Sequence, residues 1–274
     1  MKHRHRAFAG FTLIEMIMVI TITGVLAGIV AVFITAPVQG YVDSVRRAEL
    51  TDQADVALRR IARDVRLSLP NSLRTVTNGF EFILTKSGGR YRDAADGSTA
   101  GDFLSYTSSA DTSFDVLGSM PAIVGGDRIV IYNLGTGYAP ADAYNGGNVA
   151  TVSGSVAVTA NPINLTANPF ASQSPPLPSP SARFQVVDQN DLVVRYTCTG
   201  GELRRFAGCT LATPSACAGA GALLAGGTTT TATCTIDYAS AAAGRNGLLY
   251  ISLTLTHTGE SVTLFNQIHL DNAP

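Results

Sequence analysis

One long uncharged stretch constrains this chain of 274 residues more than any other feature. Between Glu15 and Asp43 the sequence has no Asp, Glu, Lys or Arg, and almost every side chain is apolar or small. A helix rises about 1.5 Å per residue, so the stretch is long enough to cross the roughly 30 Å of hydrocarbon in a bilayer. The sequence therefore predicts a membrane-spanning helix near the N-terminus.

The front edge of this helix carries a carboxylate. Glu15 lies a few residues inside the apolar block, where an unpaired charge is costly, so it is a functional candidate in need of a cationic partner. The preceding segment contains no acid but has three basic residues, Lys2, Arg4 and Arg6. This charge predicts that the N-terminus stays in the cytoplasm while the C-terminal part crosses the membrane. An ordinary signal cleavage behind Ala27 is an alternative, but no polar break follows that residue.

The run Gly10-Phe11-Thr12-Leu13-Ile14-Glu15 resembles the cleavage and methylation signature of the type IV prepilin and pseudopilin class. The resemblance implies that a membrane aspartyl peptidase cuts between Gly10 and Phe11 and methylates the new N-terminal Phe11. It also implies that Glu15 pairs with the Phe11 amine, often that of a neighbouring subunit. A carboxylate beside a new ammonium in low dielectric is physically consistent with this role. The alternative is a plain signal anchor with an accidental Glu.

A second helical segment is predicted from Tyr41 to Leu69, ending at Pro70. Its apolar residues recur every three or four positions: Leu50, Ala54, Ala57, Leu58, Ile61, Val65 and Leu69. The opposite face has two pairs at the spacing of helical ion pairs, Asp55 with Arg59 and Arg60 with Asp64. Pro37 and Gly40 predict a kink or local melting between the two helical segments.

Composition favours a β-rich head after this spine. The chain is 46% hydrophobic and 14% charged, with 27 Gly, and its net charge of −1 gives no electrostatic case for nucleic acid. We expect an α+β, pilin-like fold in which a long N-terminal helix packs on an antiparallel β-sheet head with disulfide-tethered loops. The expected divisions are a leader 1–10, a transmembrane and assembly helix 11–42, an amphipathic helix 43–70 and a periplasmic head 71–274.

Period-two patterns predict the strands of the head. Two hairpins are expected with short polar turns, Leu73–Val76 with Phe80–Leu84 and Leu248–Thr256 with Ser261–Leu270, the latter completing the main sheet beside the helix. A third hairpin pairs Arg183–Val187 with Leu192–Thr197. Further strands are predicted at Phe103–Tyr106, Phe114–Leu117, Asp127–Leu134 (the strongest) and Val149–Val158.

Four segments are predicted to be loops from their Gly, Pro, Ser or Ala content. They are the glycine-rich Ser87–Gly101, the polar Gly135–Gly147, the linker or surface loop Asn161–Pro180 and the mobile Ala218–Thr233. An even number of cysteines in an oxidising compartment predicts two disulfides. Three pairings of Cys198, Cys209, Cys217 and Cys234 are open, and the favoured one joins Cys198 to Cys209 and Cys217 to Cys234.

Later segments also resemble a subgroup. Asp127–Leu134 with Asp142-Ala143-Tyr144, and the ending Leu253–Pro274, resemble minor pilins of the MshO type from mannose-sensitive haemagglutinin (MSHA) pilus systems. The phrase Arg59–Arg66 is similar both to that group and to the J-type minor pseudopilins of type II secretion. The Cys-rich segment has no counterpart in this resemblance.

No pattern predicts an enzyme, a cofactor or a metal site. His257 and His269 are interpreted as surface or packing residues, and Asp188, Asn190 and Asp191 as a hairpin turn rather than a calcium loop, although a calcium site built otherwise stays open. Four aromatic residues are expected in the core, Phe80, Phe82, Tyr132 and Tyr250.

Two functional hypotheses follow. The first is a structural minor pilin that is inserted in or primes a fibre near its tip, with prepilin peptidase/methyltransferase, other major and minor pilins and an inner-membrane assembly platform as partners. The second is an adhesin head delivered on a pilin stalk, with Gly135–Gly147 or Cys198–Cys234 making the contacts. A minor pseudopilin of type II secretion is the further alternative. The expected location is the bacterial inner membrane, single-pass with a periplasmic C-terminal domain, and after assembly the pilus fibre at the cell surface.

Overall fold

A computed structural model describes residues 10–93, 101–240 and 246–273, and the leader residues before Gly10 lie outside this range. The chain divides into two compact units, Met1–Glu49 and Leu50–Pro274. Helix α1 is Leu13–Arg66. Among the described residues two short 3-10 helices follow, Ala143–Asn145 and Pro169–Ser172.

Fifteen strands are described after the helix. In chain order they are β1 Arg74–Val76, β2 Gly79–Ile83, β3 Thr85–Tyr91, β4 Ser113–Phe114, β5 Val116–Leu117, β6 Arg128–Val130, β7 Val149–Thr151, β8 Ile163–Asn164, β9 Arg183–Val187, β10 Val193–Thr199, β11 Glu202–Cys209, β12 Ala222–Gly226, β13 Thr231–Ser240, β14 Asn246–His257 and β15 Glu260–Asp271.

The strands form four sheets, and the pairings described between strands are antiparallel. One has the order β1-β2-β10-β11-β12 and a second the order β13-β14-β15. A third sheet, β5-β3-β9-β6-β7, and the small pair β4-β8 are built entirely from residues between β2 and β10. A long helix followed by antiparallel sheets fits the predicted α+β class.

Three hydrophobic clusters hold the head together. The first contains the buried face of α1, with Leu50, Ala54, Ala57, Leu58, Ile61 and Val65, packed on side chains of the first two sheets such as Phe80, Tyr196 and Leu253. Burying apolar side chains in this way is the dominant favourable contribution to folding. The second cluster lies wholly within residues 91–186, and the third joins Leu69, Ile83 and Val193 to Val130 and Val187.

The amphipathic pattern of α1 is confirmed. All seven residues that the spacing of three and four singled out are buried, including Leu69 just after the helix. The helix continues through Pro37 and Gly40, so the predicted local melting is wrong. A proline removes one N–H from the ladder, and the hydrogen bonds on both sides keep the helical course.

The first and last hairpins are confirmed. β1 pairs with β2 around Asn78, whose φ is 57°, and β14 pairs with β15 in an unbroken register from Asn246↔Asp271 to His257↔Glu260. The turn of the latter is Thr258-Gly259, both with positive φ, which matches the right-handed twist of the flanking strands. This hairpin forms its own sheet with β13 rather than extending the first sheet, although both sheets share the first cluster.

The predicted hairpin of Arg183–Val187 with Leu192–Thr197 is wrong. Both segments are strands, but β9 lies between β3 and β6, whereas β10 lies between β2 and β11. Each strand already has partners along both edges, so neither has an edge left for the other. A local sequence pattern could not predict these pairings, because β2, β3 and β6 are far from β9 and β10 in the sequence.

Two further strand predictions need correction. The strongest predicted strand, Asp127–Leu134, is shortened to β6, because Tyr132 adopts a φ of 51° and turns the chain out of the sheet. The segment Phe103–Tyr106 is not a strand, although the N–H of Leu104 donates to the carbonyl of Arg92 at 2.8 Å. The weaker prediction at Phe114–Leu117 corresponds to the ends of β4 and β5. Val149–Val158 contributes only the short β7.

Three predicted loops are partly ordered structure. The start of Ser87–Gly101 belongs to β3, where a Cβ on Gly88 or Gly89 would lie within 3.0 Å of Phe184 or Gln185, so these glycines permit close strand packing. The rest of that segment includes residues 94–100, outside the described residues. Asn161–Pro180 contains β8 and a 3-10 helix, and contributes core side chains Ile163, Leu165 and Phe170. Ala218–Thr233 contains β12 and the start of β13.

Candidate functional site

The helix begins at the predicted processing signal. Thr12 precedes the first helical residue, and its hydroxyl accepts a hydrogen bond from the backbone N–H of Glu15 at 3.3 Å. The carbonyl of Thr12 accepts from the N–H groups of Glu15 and Met16 at 3.1 and 3.2 Å. Thr12 is therefore an N-cap, with Glu15 three residues later in the first turn. A carboxylate there is also favoured by the positive end of the helix dipole.

The two residues that flank the predicted cut are accessible. Gly10 and Phe11 are exposed, and a Cβ added to Gly10 would have no atom within 4 Å. The described structure therefore gives no internal reason for a glycine at this position. In the uncleaved chain the Phe11 nitrogen is an amide, so the ammonium expected to pair with Glu15 arises only after cleavage.

The apolar part of α1 leaves its side chains uncovered in the isolated chain. Leu13 and Phe33 are 80% and 79% exposed, and Phe11, just before the helix, is 77% exposed. Hydroxyls in this part bond back to carbonyls one turn earlier, as Thr21 does to Ile17 at 2.9 Å and Thr35 to Ala31 at 2.9 Å. These bonds pair the hydroxyl hydrogens of the two threonines, which suits a hydrocarbon environment. Among the described residues, α1 is the one helix long and apolar enough to span a membrane.

The cysteines form two disulfides, but not in the favoured pairing. Cys198 is bonded to Cys234 and Cys209 to Cys217. Cys198 is near the end of β10 and Cys234 is in β13, so the first bond joins two sheets. The favoured pairing assumed that sequence neighbours bond, whereas β10 and β11 place Cys198 opposite Leu203 and Cys209 opposite Val193, at the two ends of the ladder.

Glu81 is the centre of a buried ionic cluster in the head. Its carboxylate is fully buried and lies 2.6 Å from guanidinium nitrogens of both Arg74 and Arg195. Arg74 also donates to the carbonyl of Ala212, and Arg195 to that of Ser215, inside the Cys209–Cys217 loop. The short disulfide loop is therefore fixed to β1 and β10 by charge-assisted hydrogen bonds.

The predicted loop Gly135–Gly147 is packed on the same region. Tyr144 is buried, its hydroxyl donates to the carbonyl of Ser72 at 2.9 Å, and Arg74 lies 3.6 Å from its ring centroid. Burial raises the pKa of the Tyr144 phenol, so it stays a neutral donor. Asp142 is also buried and accepts from the N–H groups of Gly137 and Tyr144. Much of this loop is therefore turned inward.

The predicted surface ion pair of Asp64 with Arg60 is wrong. Asp64 is buried, with one carboxylate oxygen accepting from the Tyr196 hydroxyl at 2.8 Å and the Arg205 Nε at 2.7 Å. Burial raises the pKa of Tyr196, and the Asp64 charge adds to the effect. The predicted pair Asp55–Arg59 is confirmed at 2.8 Å.

Protein groups hold the Asp188 turn. The Asp188 carboxylate accepts from the N–H of Asn190 at 2.9 Å and from Lys86 at 3.3 Å. The hydrogen bond from Asn190 and the Lys86 charge lower the pKa of Asp188. Lys86 also contacts the buried Asp127 at 2.7 Å. Within the described residues, no cluster of His, Cys, Asp or Glu is arranged to hold a metal ion.

The remaining predicted side chains have packing or surface positions. His257 bonds to the carbonyl of Thr229 at 2.8 Å, and His269 is exposed. Phe80 and Phe82 are fully buried and stack with Tyr196. Tyr250 stacks on the exposed Phe265, and Tyr132 is half-buried.

Comparison with known proteins places one feature of the chain. Residues 5–31 match the family described as the prokaryotic N-terminal methylation motif. No curated protein and no solved structure matches the chain. The motif indicates a protein like the type IV pilins and pseudopilins, which points to a structural subunit rather than an enzyme. With the apolar half of α1, it fits membrane anchoring of a C-terminal domain.

Proposed function

We propose that this protein is a minor pilin of a type IV pilus of the MSHA type. The carrying observation is the methylation motif of residues 5–31, with a capped helix start at Thr12 and Glu15 in the first turn. Prepilin peptidase removes residues 1–10 on the cytoplasmic side and methylates Phe11. The head is then periplasmic until the protein enters the fibre.

Glu15 has the role of the assembly carboxylate in this proposal. After cleavage, the Phe11 ammonium of a neighbouring subunit approaches Glu15 while the apolar helices bury one another's side chains. Both charges leave water together, so the pair is favourable only when the geometry brings them into contact. This requirement aligns each new subunit along the helix axis.

The head supports a place at or near the fibre tip. About 200 residues of head follow the spine, with an additional sheet and core between β2 and β10. A head this large has more room at an end than inside a repeating lattice. The resemblance of later segments to MshO-type minor pilins favours an MSHA pilus as the system that contains this protein. The similarity of Arg59–Arg66 to J-type proteins makes a type II secretion pseudopilus the second candidate.

The test is N-terminal mass spectrometry of the mature protein from cells with and without prepilin peptidase. We expect N-methyl-Phe11 as the N-terminus, and an intact leader in the peptidase mutant. An intact Met1 in both strains, or a cut behind Ala27, would overturn the proposal. Fibres that form normally without the protein but no longer attach to surfaces would indicate an adhesin head instead.

A further inference from the structure

A groove of about 450 Å³ lies in the head between the last turns of α1 and strand β15. It is lined by three arginines, two apolar side chains and one amide: Arg59, Arg63, Arg66, Ala62, Leu67 and Asn266. Leu67 is 49% exposed. The groove therefore combines positive charge with uncovered apolar surface.

The charge of the groove is poorly compensated from within. Arg59 contacts Asp55 at 2.8 Å, but Arg66 has no ion pair among the described residues. Arg63 lies 3.6 Å from Asp64, whose carboxylate is already held at 2.7 Å by Arg205. The side chains of Arg59 and Arg63 are 78% and 70% exposed. Two arginines are thus available for a carboxylate from outside.

The other wall is formed by Asn266 of β15, an edge strand. β15 runs over Glu260–Asp271 and pairs with β14, and the described residues provide no strand along its second edge. Side chains alternate, so Asn266 shares a face with Leu264 and Ile268, which pack on the cluster containing α1. Natural proteins cover or charge edges of this length, because unpaired N–H and C=O groups recruit further strands.

We propose that the groove binds an extended acidic segment of a neighbouring subunit, which pairs with the free edge of β15 and directs carboxylates to Arg63 and Arg66. Alternate side chains of an added strand face α1, which matches a row of acidic residues to the row of arginines. Leu67 and Ala62 contact the apolar stems of these side chains. The proposal rests on the proposed function only for the origin of the segment.

The test measures binding of a labelled probe to the purified full chain in neutral detergent by fluorescence anisotropy. The probe is a peptide of alternating Thr and Glu, and a Thr–Gln peptide is its charge control. The double variant Arg63→Gln/Arg66→Gln is compared with Arg60→Gln/Arg183→Gln, which removes equal charge at exposed positions outside the groove. We expect the groove variant to weaken binding about fivefold or more and the control variant less than about twofold.

Four outcomes would overturn the proposal. Equal weakening by the two double variants would mean a diffuse charge effect, and equal affinity for the Thr–Gln peptide would remove the role of the arginines. Unchanged affinity for a Thr–Glu peptide N-methylated at its amides would exclude strand addition. Self-association that depends on Arg63 and Arg66, without peptide binding, would assign the groove to a second copy. None of these results depends on cleavage after Gly10, so they are separate from the test of the proposed function.

Discussion

Asp64 joins three elements of the head through one carboxylate. Tyr196 of β10 and Arg205 of β11 both reach it, across sequence separations of 132 and 141 residues. A buried ion pair of this kind is weak evidence for net stabilisation, but removing Asp64 takes the acceptor from the Tyr196 hydroxyl and leaves Arg205 only Asp191, at 3.6 Å. Asp64 is therefore a position where a single change has a large effect.

We expect Asp64→Ala to lower the free energy of unfolding by about 3 kcal/mol, because Arg205 loses its close partner and keeps only the contact with Asp191 at 3.6 Å. Urea unfolding of the full chain, followed by far-UV circular dichroism, measures this change. Asp55→Ala is the matched control on the same helix, since its pair with Arg59 is exposed and should leave stability close to wild type. Equal losses in the two variants would contradict the assignment.

Asp188 predicts a pH dependence at the acid side. Its pKa is lowered below the ordinary 3.8 by the Asn190 hydrogen bond and Lys86, so its contribution is complete above about pH 3.8 and is lost as pH falls below that value. Asp188→Asn should therefore be less stable than wild type near pH 6, and the difference should shrink towards pH 2. Urea midpoints across this range measure it, and a difference that grows on acidification would be the contrary result.

Some functional or structural side chains can be predicted from the sequence alone, and others cannot, because their partners lie far away in the chain. Glu15 is recognisable because a carboxylate inside an apolar block is costly whatever the rest of the fold does. Asp64 depends on Tyr196 and Arg205, and Glu81 depends on Arg195, all of which are brought in by strands distant in sequence. Asp64 also sits at a spacing from Arg60 that fits a surface pair, so the local pattern favoured the wrong face.

The same distinction between local and long-range signals applies to helices and strands. The helix face from Leu50 to Leu69 and the hairpin β14–β15 follow from local periodicity, and both are confirmed. The partners of β9 and β10 are set by packing between segments far apart in sequence. Gly88 and Gly89 looked like loop residues because a glycine required for close strand contact carries no separate signal.

The two disulfides predict unequal effects on stability. Their sequence separations are 36 residues for Cys198–Cys234 and 8 for Cys209–Cys217. By loop-closure entropy alone, replacing both cysteines by Ser should cost about 4 kcal/mol for the first bond and about 2.5 kcal/mol for the second. Urea unfolding of the two double variants tests the order, and peptide mapping without reduction tests the connectivity. A larger loss for Cys209→Ser/Cys217→Ser would contradict this order.

At the scale of the whole molecule, we expect a change at Glu15 to impair assembly into the fibre without affecting the folding of the head. We expect Glu15→Gln to be processed and to keep the wild-type unfolding curve, but to fall about tenfold or more in sheared fibres, because the Phe11 ammonium would meet no carboxylate. Quantitative immunoblots of fibre and membrane fractions measure this, with Glu49→Gln, an exposed acid later in α1, as the control. Normal incorporation of Glu15→Gln would remove the carboxylate from the assembly mechanism.

The pairing of β2 with β10 has a consequence for how such a head evolves. Ile83 lies opposite Val193, and the N–H of Leu84 donates to the carbonyl of Leu192 at 3.2 Å, so the chain leaves and re-enters the first sheet at adjacent points. The residues between these points form a separate sheet and the second cluster, and a few of them also join the third cluster. During evolution the segment between β2 and β10 could be enlarged, shortened or exchanged while α1 and the first sheet stay the same. Each replacement segment would have to pack against Leu69, Ile83 and Val193, which contact the present segment in the third cluster.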